Sequence, residues 1–107
     1  MANNYKNAKV DLTTTNATTL YTAPSATTTL IKSILVSEDS GNADTITVTI
    51  TDASAAVFSL FKVKAIGVNT TVELLNQPLT VQEDEIIKVT AATANRLHVV
   101  ASLLEIT

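Results

Sequence analysis

Residues 45–51 read Thr-Ile-Thr-Val-Thr-Ile-Thr, a run in which apolar and polar β-branched side chains alternate without a break. Successive side chains of a β-strand point to opposite faces of a sheet, so Ile46, Val48 and Ile50 face one way and the threonines face the other. β-Branched side chains also fit a pleated surface better than a helix. This stretch predicts a strand with one buried face and a threonine face that is wet or covered by an interface.

Two longer strands are predicted at Thr28–Glu38 and at residues 97–106, and both are apolar on both faces over part of their length. Such strands are central in a sheet or are covered. Their surplus apolar surface predicts an interface between copies of the chain. The side chains expected there are Ile31 and Leu35 in the first strand and Val100 and Leu104 in the last.

The remaining chain reads as short strands separated by turns, and no stretch has the periodicity of an amphipathic helix. The turn formers of residues 39–44 predict a hairpin loop. The buried face changes parity within residues 56–65, which predicts a bulge near Leu60 and Phe61. We therefore expect an all-β fold of about eight strands, an antiparallel β-sandwich that resembles a jelly roll.

The first eight residues are polar and lack periodicity, so we expect a flexible N-terminal arm at 1–8 and a single β-sandwich domain at 9–107. Tyr5 combines apolar area with a hydroxyl and is the expected anchor of this arm on a neighbouring subunit. Residues 1–10 contain no apolar segment of the kind that a secretory signal needs, which predicts synthesis in the cytoplasm. No run of about 18 apolar residues predicts a membrane span.

Composition and motifs give no reason to expect an enzyme. The net charge is −3 and the lysines are scattered, so no nucleic-acid partner is expected. The chain has no cysteine, and His98, its one histidine, has no nucleophile or carboxylate at a suggestive spacing. We predict neither catalytic residues nor a cofactor.

Calcium binding is the one metal chemistry that the turns leave open. Two turns could offer oxygen ligands to Ca²⁺, namely Asp39, Asn42 and Asp44 in one and residues 83–85 in the other. Their spacing does not match a calcium-binding loop, so we interpret them as solvated turn residues and predict no metal site.

Several strand segments of this chain resemble small virion structural proteins of tailed bacteriophages. The resemblance covers most of residues 20–107 and follows a pattern of strands rather than a catalytic signature. It is carried by Leu20–Pro24, Leu30–Ser37, Thr45–Asp52, Val72–Leu75, Asp84–Ala91 and Ser102–Ile106.

The resemblance implies a capsid decoration (cement) protein that binds and stabilises the assembled head, with the major capsid protein or other virion proteins as partners. It also leaves open a small structural component of the phage neck, tail or fibre. A free-standing cytoplasmic binding module is the alternative from a different class. We expect a virion protein made in the host cytoplasm that forms a homo-oligomer, most simply a trimer.

Overall fold

The computed structural model of this chain describes residues 2–107, which form nine β-strands and contain no helix. Within this range there is accordingly no helix long and apolar enough to cross a membrane. The strands are β1 (Asn3–Asp11), β2 (Thr18–Thr22), β3 (Thr28–Glu38), β4 (Asp44–Thr51), β5 (Val57–Ile66), β6 (Thr71–Glu73), β7 (Leu79–Val81), β8 (Ile86–Ala91) and β9 (Leu97–Ile106).

The strands form two antiparallel sheets that pack face to face, which confirms the predicted β-sandwich. The five-stranded sheet has the order β1-β9-β3-β6, with β7 also paired to β3. The four-stranded sheet has the order β2-β8-β4-β5. This is the strand order of an eight-stranded jelly roll in which one strand is divided into β6 and β7.

The core lies between the sheets and is built from aliphatic side chains. Ile46 and Val48 of β4 are fully buried, as the alternation of residues 45–51 predicts. They belong to the same core cluster as Ile34 and Val36 of β3, which are also fully buried. The inward side chains of the two sheets interdigitate in one close-packed core, so each inward position contributes directly to stability.

The two strands predicted to be central are confirmed as such, because β9 lies between β1 and β3, and β3 lies between β9 and β6. The interface position predicted at Ile31 is wrong, since this side chain is fully buried in the core. Ile31 pairs with Leu103 and Ser33 pairs with Ser102, which makes Lys32 an extra residue in β3. This bulge shifts the alternation, so both Ile31 and Ile34 face inward.

The predicted flexible arm is also corrected, because residues 3–11 form strand β1. This strand pairs with β9 without interruption, from Asn3 opposite Ile106 to Asp11 opposite His98. The pairing uses the main chain, and most β1 side chains remain exposed. A polar sequence can therefore form this edge strand, although it lacks the alternation of apolar and polar residues that predicts a half-buried strand.

Strand β5 forms one edge of the four-stranded sheet and contains the bulge predicted near Leu60 and Phe61. Val48 pairs with Phe61 and Thr49 with Ser59, which leaves Leu60 without a partner in β4. A second irregularity lies between the pairs of Ile46 and Val48 with β5. These bulges make β5 a poor template for another strand, since they interrupt the regular spacing of its free N–H and C=O groups.

Candidate functional site

The outer face of the five-stranded sheet carries an apolar patch at its centre. Leu35 and Val100 lie directly opposite each other on β3 and β9, and their side chains are 39% and 37% exposed. Lys9 and Glu73 extend the same row on the two neighbouring strands. Large aliphatic side chains on two central strands are thus left in contact with water on the side away from the core.

Carboxylates surround this pair of aliphatic side chains. In the adjacent row, Asp11 of β1 lies opposite His98 of β9. The imidazole of His98 lies between two carboxylates, with Nε2 3.2 Å from Oδ1 of Asp11 and Nδ1 3.5 Å from Oδ2 of Asp39. We refer to Leu35 and Val100, together with the rim carboxylates Asp11, Asp39 and Glu73, as the Leu35 patch.

Glu73 is held in place on this rim by hydrogen bonds from β3 and from the chain that follows β6. Its carboxylate accepts hydrogen bonds from the hydroxyl of Ser33 and from the backbone N–H of Ile34, the latter at 2.8 Å. Burial opposes ionisation, but the hydrogen bonds outweigh it and lower the pKa of Glu73 below its ordinary value. The carboxylate of Glu73 is therefore ionised at neutral pH and held at this position.

The other predicted interface residues lie on the same face or are buried. Tyr5 is 74% exposed and lies opposite Leu104, which itself lies opposite Leu30. Leu104 is only 9% exposed, so it supports this part of the face rather than presenting much surface. Lys32 places its Nζ 5.2 Å from the centre of the Tyr5 ring, a cation–π contact. The structure thus brings four of the five predicted residues onto one face, while Ile31 belongs to the core.

A second apolar surface, on the edge strand β5, was not predicted from the sequence. Val57, Phe58 and Val63 are each more than half exposed. Lys62 and Lys64 are exposed on the same strand, and no carboxylate lies between residues 57 and 66. We call these five residues the Val63 patch. The sequence does contain a signal for this surface, because β5 has apolar residues at both odd and even positions. Side chains on both faces of an edge strand cannot all reach the core, so some of them must be exposed.

Val63 adopts an unusual backbone conformation for a β-branched residue. Its φ is 53°, in the left-handed region that costs an L-residue roughly 1–2 kcal/mol. The backbone N–H of Val63 donates to Oγ1 of Thr47 at 3.1 Å, which helps to hold this conformation. The bulge therefore keeps an apolar side chain in solvent at a cost in stability, and such strain concentrates at functional positions.

A polar network joins the two sheets near one end of the sandwich. The Tyr21 hydroxyl of β2 donates to Oε2 of Glu105 at 2.6 Å and lies 2.7 Å from Oγ1 of Thr29. Lys6 places its Nζ 2.9 Å from Oε1 of the same carboxylate. Burial and the hydrogen bond to Glu105 raise the pKa of Tyr21 to about 12. The hydrogen bond from Tyr21 is the main cause that lowers the pKa of Glu105.

The members of this network satisfy each other's hydrogen-bonding groups. In residues 2–107 no buried side-chain nitrogen or oxygen atom lacks a hydrogen-bond partner. Each member is bonded to another, and the raised pKa keeps the phenol of Tyr21 protonated well into the alkaline range. A buried network that is fully satisfied fixes the alignment of the two sheets.

The carboxylates of the two turns that were considered as calcium ligands make other contacts. Asp39 lies against His98, and Asp44 accepts a hydrogen bond from the backbone N–H of Thr93 at 3.0 Å. Glu83 accepts one from the backbone N–H of Ala26 at 2.8 Å. The described part of the chain contains no group of three or more histidine, aspartate or glutamate residues that could hold a metal ion.

Glu38 ties together two loops at the end of the sandwich next to the Leu35 patch. It is only 2% exposed, and its carboxylate accepts hydrogen bonds from the backbone N–H groups of Ser40 and Asn69 at 2.7 and 3.0 Å. The hydroxyl of Ser40 donates a further hydrogen bond. The bonds from Ser40 and Asn69 lower the pKa of Glu38 to about 2.

Replacing the Glu38 carboxylate by a neutral side chain is expected to make the melting temperature depend less on pH in the acid range. The pKa of Glu38 is about 2 in the folded chain against 4.5 for a free carboxyl, so its contribution is present above pH 4.5 and is lost as pH falls through 2. Glu38→Gln should lower the melting temperature at neutral pH and flatten its decline between these two values. Thermal unfolding measured across the acid range checks this, with Asp84→Asn on an exposed turn as the matched neutralisation. A decline as steep as that of the unaltered chain would contradict the role given to Glu38.

Comparison with known proteins adds no assignment to this geometry. A search against protein-family models finds no match, and a search of curated proteins finds no significantly similar sequence.

Proposed function

We propose that this chain is a non-enzymatic structural protein of a virus particle, a capsid decoration protein that binds the assembled head as a homotrimer. The observation that carries the proposal is the Leu35 patch. The solvated face of an antiparallel sheet usually carries polar side chains, yet Leu35 and Val100 lie in direct opposition on the outward face of two central strands.

The resemblance of residues 20–107 to virion structural proteins of tailed bacteriophages supports the same function. The fold is compatible with it, since double-sheet jelly rolls are used in virus capsids. The fold alone does not select this function, because jelly rolls serve many roles. It is the combination of the resemblance with exposed apolar surfaces on a small, cysteine-free domain that favours an assembly protein.

Attachment to the head is expected to depend on several copies acting together. One chain of 107 residues can bury only a modest area, whereas stable interfaces bury about 1,200–2,000 Å² in total. Linking three copies makes the second and third contacts intramolecular, so weak individual contacts add to a firm attachment. The oligomer is thus part of the binding mechanism as well as a source of stability.

The test is co-sedimentation of the purified chain with heads assembled from the major capsid protein of the phage that encodes it. We expect saturable binding in multiples of three copies and a higher melting temperature of the decorated heads. Saturable binding to isolated tails or necks, with none to heads, would replace the decoration function by a neck or tail function. Absence of binding to any particle component would favour a free-standing module.

A further inference from the structure

The two exposed apolar patches lie on opposite sheets and have rims of opposite charge. The Leu35 patch is bordered by the carboxylates of Asp11, Asp39 and Glu73, with Lys9 as the one lysine in its central row. The Val63 patch contains Lys62 and Lys64 and no carboxylate. In a chain with a net charge of −3, this separation leaves an exposed cationic surface on the edge strand.

A closed ring of three copies requires two different surfaces on each chain. A two-fold dimer can be formed by one patch that meets itself, but copies related by a three-fold axis contact each other head to tail. The Leu35 patch therefore needs a partner elsewhere on the neighbouring copy. That partner must offer apolar area for Leu35 and Val100 and positive charge for the surrounding carboxylates.

The Val63 patch meets both requirements. Val57, Phe58 and Val63 extend over seven residues of one strand, about 20 Å at the usual rise of a strand. Two copies of the Val63 patch would repel each other, because the lysines of one would face the lysines of the other. The bulges of β5 disfavour pairing with another strand through the backbone, so contact through side chains remains.

From these observations we infer that the Val63 patch of one copy binds the Leu35 patch of the next, with Lys62 and Lys64 facing Asp11 and Asp39, and that three such contacts close the ring. This inference rests on the proposed trimer and names the two surfaces that form it. It also explains why β5 keeps a strained valine in solvent in the single chain, since Val63 is then covered in the assembly.

Charge reversal on each side, followed by reversal on both, tests this pairing through the native mass in light scattering. K62E/K64E and D11K/D39K place like charges opposite each other and should each raise the dissociation constant of the trimer at least a hundredfold. The chain carrying all four substitutions restores opposite charges at every contact and should form trimers again.

The matched control is K88E/R96E, which changes the net charge as much as K62E/K64E does. Lys88 lies on β8 and Arg96 on the turn before β9, and both are outside the two patches. This variant should remain a trimer. Circular dichroism and melting curves establish that every variant is folded.

Three results would overturn the pairing. They are folded K62E/K64E or D11K/D39K chains that remain trimers, a chain with all four substitutions that stays dissociated, and a K88E/R96E control that dissociates as K62E/K64E does. The first and second show that these surfaces do not meet, and the third shows that net charge alone governs assembly. None of them affects co-sedimentation of the unaltered chain with heads, so the proposed function is tested separately.

Discussion

Replacing Ile34 by alanine is expected to lower the free energy of unfolding by about 2–5 kcal/mol, the range found for removing a buried isoleucine or leucine side chain. Ile34 is fully buried where β3 meets the inner face of the four-stranded sheet. The close-packed side chains between the two sheets relax only partly around the missing atoms, so a cavity remains. Because small domains are stable by only about 5–15 kcal/mol, this single change is a large fraction of the total.

Its matched control is the neighbouring residue on the same strand. Leu35→Ala removes a side chain that is 39% exposed on the opposite face, and should cost the single chain about 1 kcal/mol or less. Urea unfolding at low protein concentration measures both variants without a contribution from association. Equal losses for the two variants would contradict the assignment of the core to one face of β3.

The second large effect concerns association. Leu35→Asp combined with Val100→Asp should raise the dissociation constant of the trimer at least a hundredfold, which corresponds to about 2.8 kcal/mol. The two side chains are cross-strand neighbours, so the change places two carboxylates in the centre of an apolar contact whose rim is already acidic. Burying unpaired charge costs more than the loss of apolar area alone.

The fold of this variant should persist, because both positions face away from the core. Val68→Asp is the control, since Val68 is 49% exposed on the turn after β5 and belongs to neither patch. Analytical ultracentrifugation over a concentration series gives the dissociation constants. A double variant that associates as tightly as the unaltered chain would show that the Leu35 patch is not an interface.

The sequence predicted the parts of the fold that depend on side-chain alternation. The run at residues 45–51 forms β4. The hairpin predicted at residues 39–44 is wrong, because β3 and β4 lie in different sheets and residues 39–43 cross from one sheet to the other. The two strands that are apolar on both faces are central. In these segments local preference, periodicity and burial favour the same structure, which is why a single sequence was sufficient.

The wrong predictions concern residues whose positions are set by backbone pairing rather than by the side-chain pattern. Ile31 was assigned to the outer face by strict alternation, but the extra residue Lys32 shifts that alternation by one position. Strand β1 was predicted as an arm because its side chains are polar. It forms nonetheless, because the exposed edge of β9 accepts backbone hydrogen bonds from any chain that can extend beside it.

The candidate surfaces were predicted only in part for a related reason. The Leu35 patch follows from surplus apolar residues on central strands, which a sequence displays directly. The Val63 patch depends on β5 being an edge strand, and strand order is not visible in periodicity. The hydrogen bond between Tyr21 and Glu105 joins residues 84 positions apart, so only the packing of the two sheets brings them together.

The central claim is that this chain works by associating through its exposed surfaces. The most direct test of this claim is the native mass in solution. Size-exclusion chromatography with light scattering at micromolar concentration should give three times the 11.3 kDa mass of the chain. Dilution should dissociate the trimer in one step if all three contacts are equivalent. A folded chain that keeps a mass of 11.3 kDa over the whole micromolar range would contradict the account.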